Sequence, residues 1–324
     1  MIGFLGLDVG SVSTNLVFLS EEGRVLESLY LRTNGRPIPT VQQGLKQMSG
    51  LLPPKTVIRG VGATGSGRHL AGIIAGADVV KNEITSHATA ANRLVPGVRA
   101  VLEIGGQDSK IIILRDGVVV DFAMNTVCAA GTGSFLDQQA ARLNIRIEDF
   151  GETALRSGAP VRIAGRCAVF AESDMIHKQQ MGYDLPDILA GLCEALVRNY
   201  LNNVGKGKNI ASPVVFQGGV AANRGMKAAF ERALQEEVII PPHFDVMGAV
   251  GSAMLARDHV ARGAATGFKG FSAAEMDFRA GSFECDGCPN LCEVVEIREE
   301  GAVIARWGDR CGKWSTRIAR EKIS

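Results

Sequence analysis

No sign of charge dominates this sequence: 35 lysines and arginines stand against 34 aspartates and glutamates, for a formal charge of +1. That balance projects no broad field toward nucleic acid or an anionic membrane, so neither is expected as a partner. No apolar run approaches the roughly 18 residues that a membrane span needs. The opening MIGFLGLDVG lacks the basic flank and small-residue cleavage site of an export signal and reads as a buried strand entering a glycine turn. A cytoplasmic chain is expected. Apolar residues and glycine are plentiful. The 324 residues are 46% hydrophobic and include 39 glycines, which suits a loop-rich α/β protein of two domains or lobes. Seven cysteines are present, an odd number. In a reducing compartment, clusters of them point to metal or redox sites rather than disulfides.

One order of elements occurs twice: strand, acidic residue, glycine turn, strand, tight hairpin, strand. The first copy runs through residues 4–11, with Ser13, Thr14, the apolar stretch 16–19 and a polar turn at 21–23. The second runs through 101–110, then the apolar stretch 111–114, a turn at Asp116-Gly117 and Val118-Val119-Val120. Two copies of one unit predict two related lobes facing a cleft. Helical periodicity is expected over 40–51, 81–94, 133–143, 167–181, 185–204, 223–236 and 248–261. Asp184 reads as an N-cap with Pro186 in the first turn. The boundaries so drawn are 1–96 for the first lobe, 97–262 for the second, a glycine-rich linker at 263–270 and an extension at 271–324.

Phosphates need backbone amides free to approach them, and a metal-bound water needs a carboxylate. Asp8, Gly10, Ser11, Ser13 and Thr14 supply both in one hairpin. Glu103, Gly105, Gly106, Gln107, Asp108, Ser109 and Lys110 supply a second set from the other lobe. A third glycine turn, Gly218-Gly219, ends a strand and precedes a helix near Asn223, as suits a nucleoside lying against backbone. Taken singly each turn is an ordinary hairpin; their order and spacing make the joint pattern informative.

This set resembles the phosphate-1, phosphate-2 and adenosine motifs of the acetate and sugar kinase, heat-shock chaperone and actin superfamily, over residues 2 to about 260. The resemblance implies an α/β, two-lobed, actin-like and sugar-kinase-like (ribonuclease H-like) ATPase fold. By it Asp8 holds Mg²⁺ through water, the hairpins at 10–14 and 105–109 straddle the phosphates of ATP, and Gly218, Gly219 and Asn223 border the adenosine. The phosphate-2 acid, commonly aspartate in that superfamily, is here Glu103. Glu83, between the repeats, is a candidate for orienting attacking water; its plain alternative is a solvated helix charge.

Cys128 stands just before an expected helix start, in a loop that ends at Gly131 and Gly133, and Cys167 does the same 39 residues later. A helix N-terminus lowers a thiol's pKa and favours a bound anion, although either cysteine alone could equally be a small buried residue, as Cys193 is read. Two thiolates are half of the four that a [4Fe-4S] cubane requires, and a two-fold dimer meeting at these loops would complete the set. The motifs NTVCAAGTGSFLD, AGRCAVFAESDMIHKQQ, ITSHATAA and EIGGQDSKIIIL are similar to those of the ATP-dependent activators of 2-hydroxyacyl-CoA dehydratases. That family includes the ATPase subunits of benzoyl-CoA reductase and reductases of related cluster proteins. It implies a homodimer bridged by one [4Fe-4S] cluster, with Cys128 and Cys167 in the ligand positions. It also implies a ferredoxin or flavodoxin as donor and a partner iron–sulfur dehydratase or reductase as acceptor. Two other readings remain: a small-molecule kinase of the same fold with structural cysteines, and a nucleotide-switched binding module.

In the extension, Cys285, Cys288, Cys292 and Cys311 fall within 27 residues. Such crowding in a short, poorly cored segment suits a closed zinc site on a hairpin turning near Glu299-Glu300-Gly301, or a second iron–sulfur cluster.

Overall fold

The structure, a computed structural model, describes residues 1–125, 131–165, 167–261 and 263–315. Cys128, the first expected cluster ligand, lies outside the described residues. The first lobe is built on β1 (Ile2–Val9), β2 (Ser13–Ser20), β3 (Val25–Arg32), β4 (Val57–Thr64) and β5 (Val79–Val80), in the order β3-β2-β1-β4-β5. β1 and β2 are buried almost without interruption because helices cover both their faces, whereas β3, at the edge, alternates along its length. Three helices accompany this sheet: α1 (Pro37–Leu51), α2 (Arg68–Ala75) and α3 (Glu83–Leu94). Pro37 opens α1, and the Asn82 side chain caps α3 by accepting from the Thr85 amide.

The second sheet repeats the plan. β6 (Ala100–Ile104), β7 (Ser109–Arg115), β8 (Val118–Asn125), β9 (Val214–Gln217) and β10 (Val238–Ile239) lie in the order β10-β9-β6-β7-β8. In each sheet the first strand pairs antiparallel with the second and parallel with the fourth. The repeat read from sequence is therefore a repeat of topology. Five helices pack here: α4 (Gly133–Arg142), α5 (Ile147–Ala154), α6 (Ala168–Gln180), α7 (Leu185–Asn203) and α8 (Arg224–Leu234).

Helix α9 (Met247–Val260) follows the second sheet in sequence but packs on the first. With α3 it fills the space between the sheets in one core, joining Phe4, Val17 and Leu19 to Val101, Ile112 and Val215. The approach is backbone to backbone: a Cβ at Gly6 would overlap the Ala249 carbonyl, and one at Gly62 the Ser252 carbonyl. Packing thus divides the chain differently from the boundary at residue 262.

The segment expected as a free linker is pinned. Gly267 N–H and Thr266 Oγ1 donate to the two carboxylate oxygens of Asp78 (2.6 and 2.9 Å), and Lys269 N–H donates to the Ala75 carbonyl (3.1 Å). Beyond it a third sheet, β11 (Phe278–Glu284), β12 (Glu293–Glu299) and β13 (Ala302–Trp307), turns at Glu300-Gly301 and rests on the first lobe. Ala273, Phe278 and Ile297 enter the core beneath α1 and α2, and Trp307 lies 6.1 Å from His69 at the start of α2.

Candidate functional site

Both acid–glycine hairpins close with the same bond. Gly10 N–H donates to the Ser13 carbonyl (2.8 Å), and Gly105 N–H to the Asp108 carbonyl (3.0 Å). Their tips face one cleft. A cavity of about 180 Å³ there is lined by Asp8, Gly10, Ser11 and Ser13 from the first lobe and by Glu103, Gly105, Gly106, Gln107, Asp108 and Lys110 from the second. Glu83, Gly218 and Gly219 join the same wall. An adjoining cavity of about 240 Å³ is lined by Gly133, Gly219 and Asn223, with apolar Leu136, Ile147 and Val220 and polar Tyr30, Arg32 and Asp137. The pair suits a nucleotide, with phosphates between the hairpins and the base on the apolar side. Three expected contacts fall short of both cavities. Thr14 is buried and bonded to Thr33 (3.0 Å), Ser109 is buried, and Gly131 faces Asn125 and Asn199. Asn223 also caps α8, its side chain accepting from the Met226 amide.

The electrostatic centre is Lys110. Its Nζ lies 2.7 Å from Glu83, 2.9 Å from Asp108 and 3.1 Å from Glu103, with 3% of its side chain exposed. Burial disfavours its charge, but Glu103, Glu83 and Asp108 outweigh burial and hold the ammonium well above its usual range. Burial likewise opposes ionisation of Glu83, yet Lys110 leaves that carboxyl below its ordinary value. Glu83 is therefore held in the cleft rather than solvated. Two acids go the other way. Burial, reinforced by Glu83, pushes Asp8 up to about 7, and burial pushes Glu103 up to about 8 despite Lys110.

Asp8 pairs across the hairpin with Asn15, whose Oδ1 is buried without a hydrogen-bond partner among the described residues. A desolvated carboxyl beside an orphaned amide oxygen, both facing the phosphate cavity, fits a hydrated Mg²⁺. Gly248, at the start of α9, makes room for this carboxylate: a Cβ there would overlap Asp8 Oδ2. His87, one turn beyond Glu83, is pushed by burial to about 3 and stays neutral, with Nδ1 2.7 Å from Gln217 Nε2. Asn15, His87, Tyr30 and Gly248 were not singled out from sequence. His87 stands in the quoted ITSHATAA stretch, four residues after Glu83, and that helical spacing was the available signal.

Cys167 occupies the N-cap of α6 and is half-buried; no acidic residue stands in the first turn, and Val169 and Phe170 beside it are exposed. Free helix amides, no competing carboxylate and an apolar surround fit an anionic cluster at this thiol. Cys193 is buried, as read from sequence. The tail is different. Cys285 and Cys292 face each other where β11 meets β12, joined by Cys285 N–H to the Cys292 carbonyl (2.9 Å). Bonds from Trp314 and the Gly287 amide hold the Cys285 thiol below its usual range, while Cys288 and Cys311 are exposed. Among the described residues no three His, Cys, Asp or Glu side chains stand together as a metal site, so the four-cysteine grouping expected of the tail is not brought together here. No helix among the described residues is long and apolar enough to cross a membrane.

Duplicated sheets, paired acid–glycine hairpins and an interlobe cleft define an ATPase of the actin-like, sugar-kinase-like fold. A ROK-family glucokinase from Streptomyces griseus, 14% identical, shares that fold at a TM-score of 0.50, over 79% of this chain and 99% of its own. The chain belongs to the BadF/BadG/BcrA/BcrD ATPase family, whose profile matches residues 5–256. It is 35% identical over 266 residues to the (R)-2-hydroxyglutaryl-CoA dehydratase activating ATPase of Acidaminococcus fermentans, covering 80% of this chain and 98% of that protein. The ADPNP-bound activator of 2-hydroxyisocaproyl-CoA dehydratase from Clostridium difficile superposes with a TM-score of 0.73 at 31% identity, covering 81% of this chain and 96% of that one. The third sheet lies beyond the family match.

Proposed function

We propose that the protein is an ATP-driven reductase component: a homodimer in which Cys128 and Cys167 of both subunits hold one [4Fe-4S] cluster that passes a low-potential electron to a partner iron–sulfur enzyme. The observation that carries this reading is Cys167 at an uncapped helix N-terminus, in a chain whose relatives are named as activators of CoA dehydratases. The bound cluster supplies the one-electron chemistry, drawn from a ferredoxin or flavodoxin. Making an electron about 0.25 V more reducing requires about 6 kcal/mol, within reach of nucleotide hydrolysis.

The chain's own residues supply the rest. Asp8 would hold a hydrated Mg²⁺, which would neutralise charge on the phosphates. Glu83, kept ionised by Lys110, accepts a hydrogen bond from the attacking water and orients it. The amides of Gly133 and Ser134 donate to the carbonyls of Gly105 and Gly106 (both 2.9 Å), so the phosphate hairpin is joined directly to α4, which starts five residues after Cys128. A shift of that hairpin on nucleotide turnover moves this helix with it.

The test is iron per dimer in anaerobically purified protein, wild type against Cys128→Ser and Cys167→Ser. About four irons in the wild type and near none in either variant are expected, because symmetry removes each ligand twice. Retention of four irons by both variants refutes the assignment.

A further inference from the structure

We propose that Asn199, in the last turns of α7, is the positioning residue that ties the Cys167 segment to the nucleotide hairpin. The inference rests on the cysteine reading above and deepens it. Asn199 is buried, and its Nδ2 donates to the carbonyl of Gly165, two residues before Cys167, at 2.7 Å. Its Oδ1 accepts from Asn203 Nδ2 (2.9 Å), which fixes the amide's orientation. The same Oδ1 lies against Gly131, so close that a Cβ at that glycine would press on it. One side chain therefore touches both Gly165, two residues before Cys167, and Gly131, three residues after Cys128.

Both contacts are referred to the nucleotide site. The neighbouring Tyr200 hydroxyl donates to the Lys110 carbonyl (2.6 Å), anchoring this turn of α7 to the strand that bears the cleft's central cation. Gly131 stands two residues before Gly133, whose amide bonds the phosphate hairpin. The stretch 161–165 lies along α7: Val161 N–H donates to the Asp187 carbonyl (3.1 Å), and Arg198 bonds the Ile163 carbonyl (2.7 Å). Arg198 holds this stretch to α7 alone, whereas Asn199 also reaches Gly131. Displacement of the hairpin thus arrives at 131–134 through backbone bonds and at Gly165 through Asn199, while Gln139 and Arg142 of α4 bond Glu172 and carry it separately to the body of α6.

The test is hydrogen–deuterium exchange of the full chain as purified, with and without Mg·ADPNP, read on peptides covering 131–135 and 163–168. In the wild type the nucleotide changes exchange of both peptides. In Asn199→Ala and Asn199→Asp the response of 131–135 persists and ADPNP affinity is unchanged. The nucleotide-dependent ratio at 163–168 falls roughly fivefold, the factor carried by one side-chain hydrogen bond. A merely structural role would raise exchange at 163–168 equally with and without nucleotide, leaving that ratio intact. That result overturns the proposal. So does a wild-type protein whose 163–168 peptide ignores nucleotide, an outcome that needs no variant to fold. Neither readout depends on iron, so a failed iron count leaves this result standing and the converse holds.

Discussion

Mg·nucleotide binding is expected to expel protons from the cleft. Asp8 and Glu103 titrate near 7 and 8 in the nucleotide-free protein because both are desolvated. At pH 7 the first is about half protonated and the second about nine-tenths. On the proposed reading a magnesium-bound nucleotide takes both as carboxylates, so binding at pH 7 is expected to release about 1.4 protons. Each released proton raises the logarithm of affinity by about one per pH unit, so affinity climbs more than tenfold between pH 6 and 7 and levels off above pH 9. The sign extends to stability. Both folded pKa values lie above the ordinary carboxyl values, so the folded apoprotein binds extra protons between about pH 4 and 8 and loses stability as pH rises through that window. The assay is isothermal titration of Mg·ADP at pH 7 in buffers of different ionisation enthalpy. Asp8→Asn should leave only the Glu103 share, about 0.9 proton. Release below about 0.3 proton in the wild type refutes the assignment of these acids to the metal and phosphate site.

Replacing Lys110 with Met strands Glu83, Glu103 and Asp108 without their cation, and loss of a buried partner of this kind costs about 3–5 kcal/mol. Urea denaturation at pH 8 measures the loss, which should shrink at pH 5.5, where Glu103 is protonated; an unchanged midpoint at pH 8 contradicts the hub. Gly248→Ala presses a methyl group on Asp8 Oδ2, an overpacking of about 1–3 kcal/mol, and should slow phosphate release far more than it lowers the melting temperature. Equal effects on both would mean that Gly248 serves α9 packing alone.

The two strand–turn–strand units were legible because each combines period-two or continuous apolar runs with an acid and glycine at a fixed offset, all within about 25 residues. Helices α2 and α5 went unread: at eight residues each, they are too short to display a period of 3.6. The residues gathered at Lys110 were individually visible, but their meeting was not. Glu83 comes from the N-terminus of α3 and Lys110 from a strand of the other lobe, so their 2.7 Å contact is a product of topology. The seat of α9 was hidden for a similar reason. Its small residues read as a final helix of the second lobe, while the glycines that receive it, Gly6 and Gly62, lie some 190 to 250 residues earlier. The tail shows the limit of spacing: four cysteines at metal-like intervals fold with two facing and two outward.

Because the third sheet is clamped to α1 and α2 while Cys167 is carried by helices of the second sheet, the extension travels as ballast of one jaw and the thiol as ballast of the other. A rotation of one jaw against the other is therefore expected to be read out as a change in the separation between β13 and α6. Trp307, held against His69 at the start of α2, is a native fluorophore on the first jaw, and a dye placed on the exposed end of α6 would mark the second. The extension thus equips the chain with one half of its own distance gauge, which would report any opening or closing of the jaws from outside the cleft.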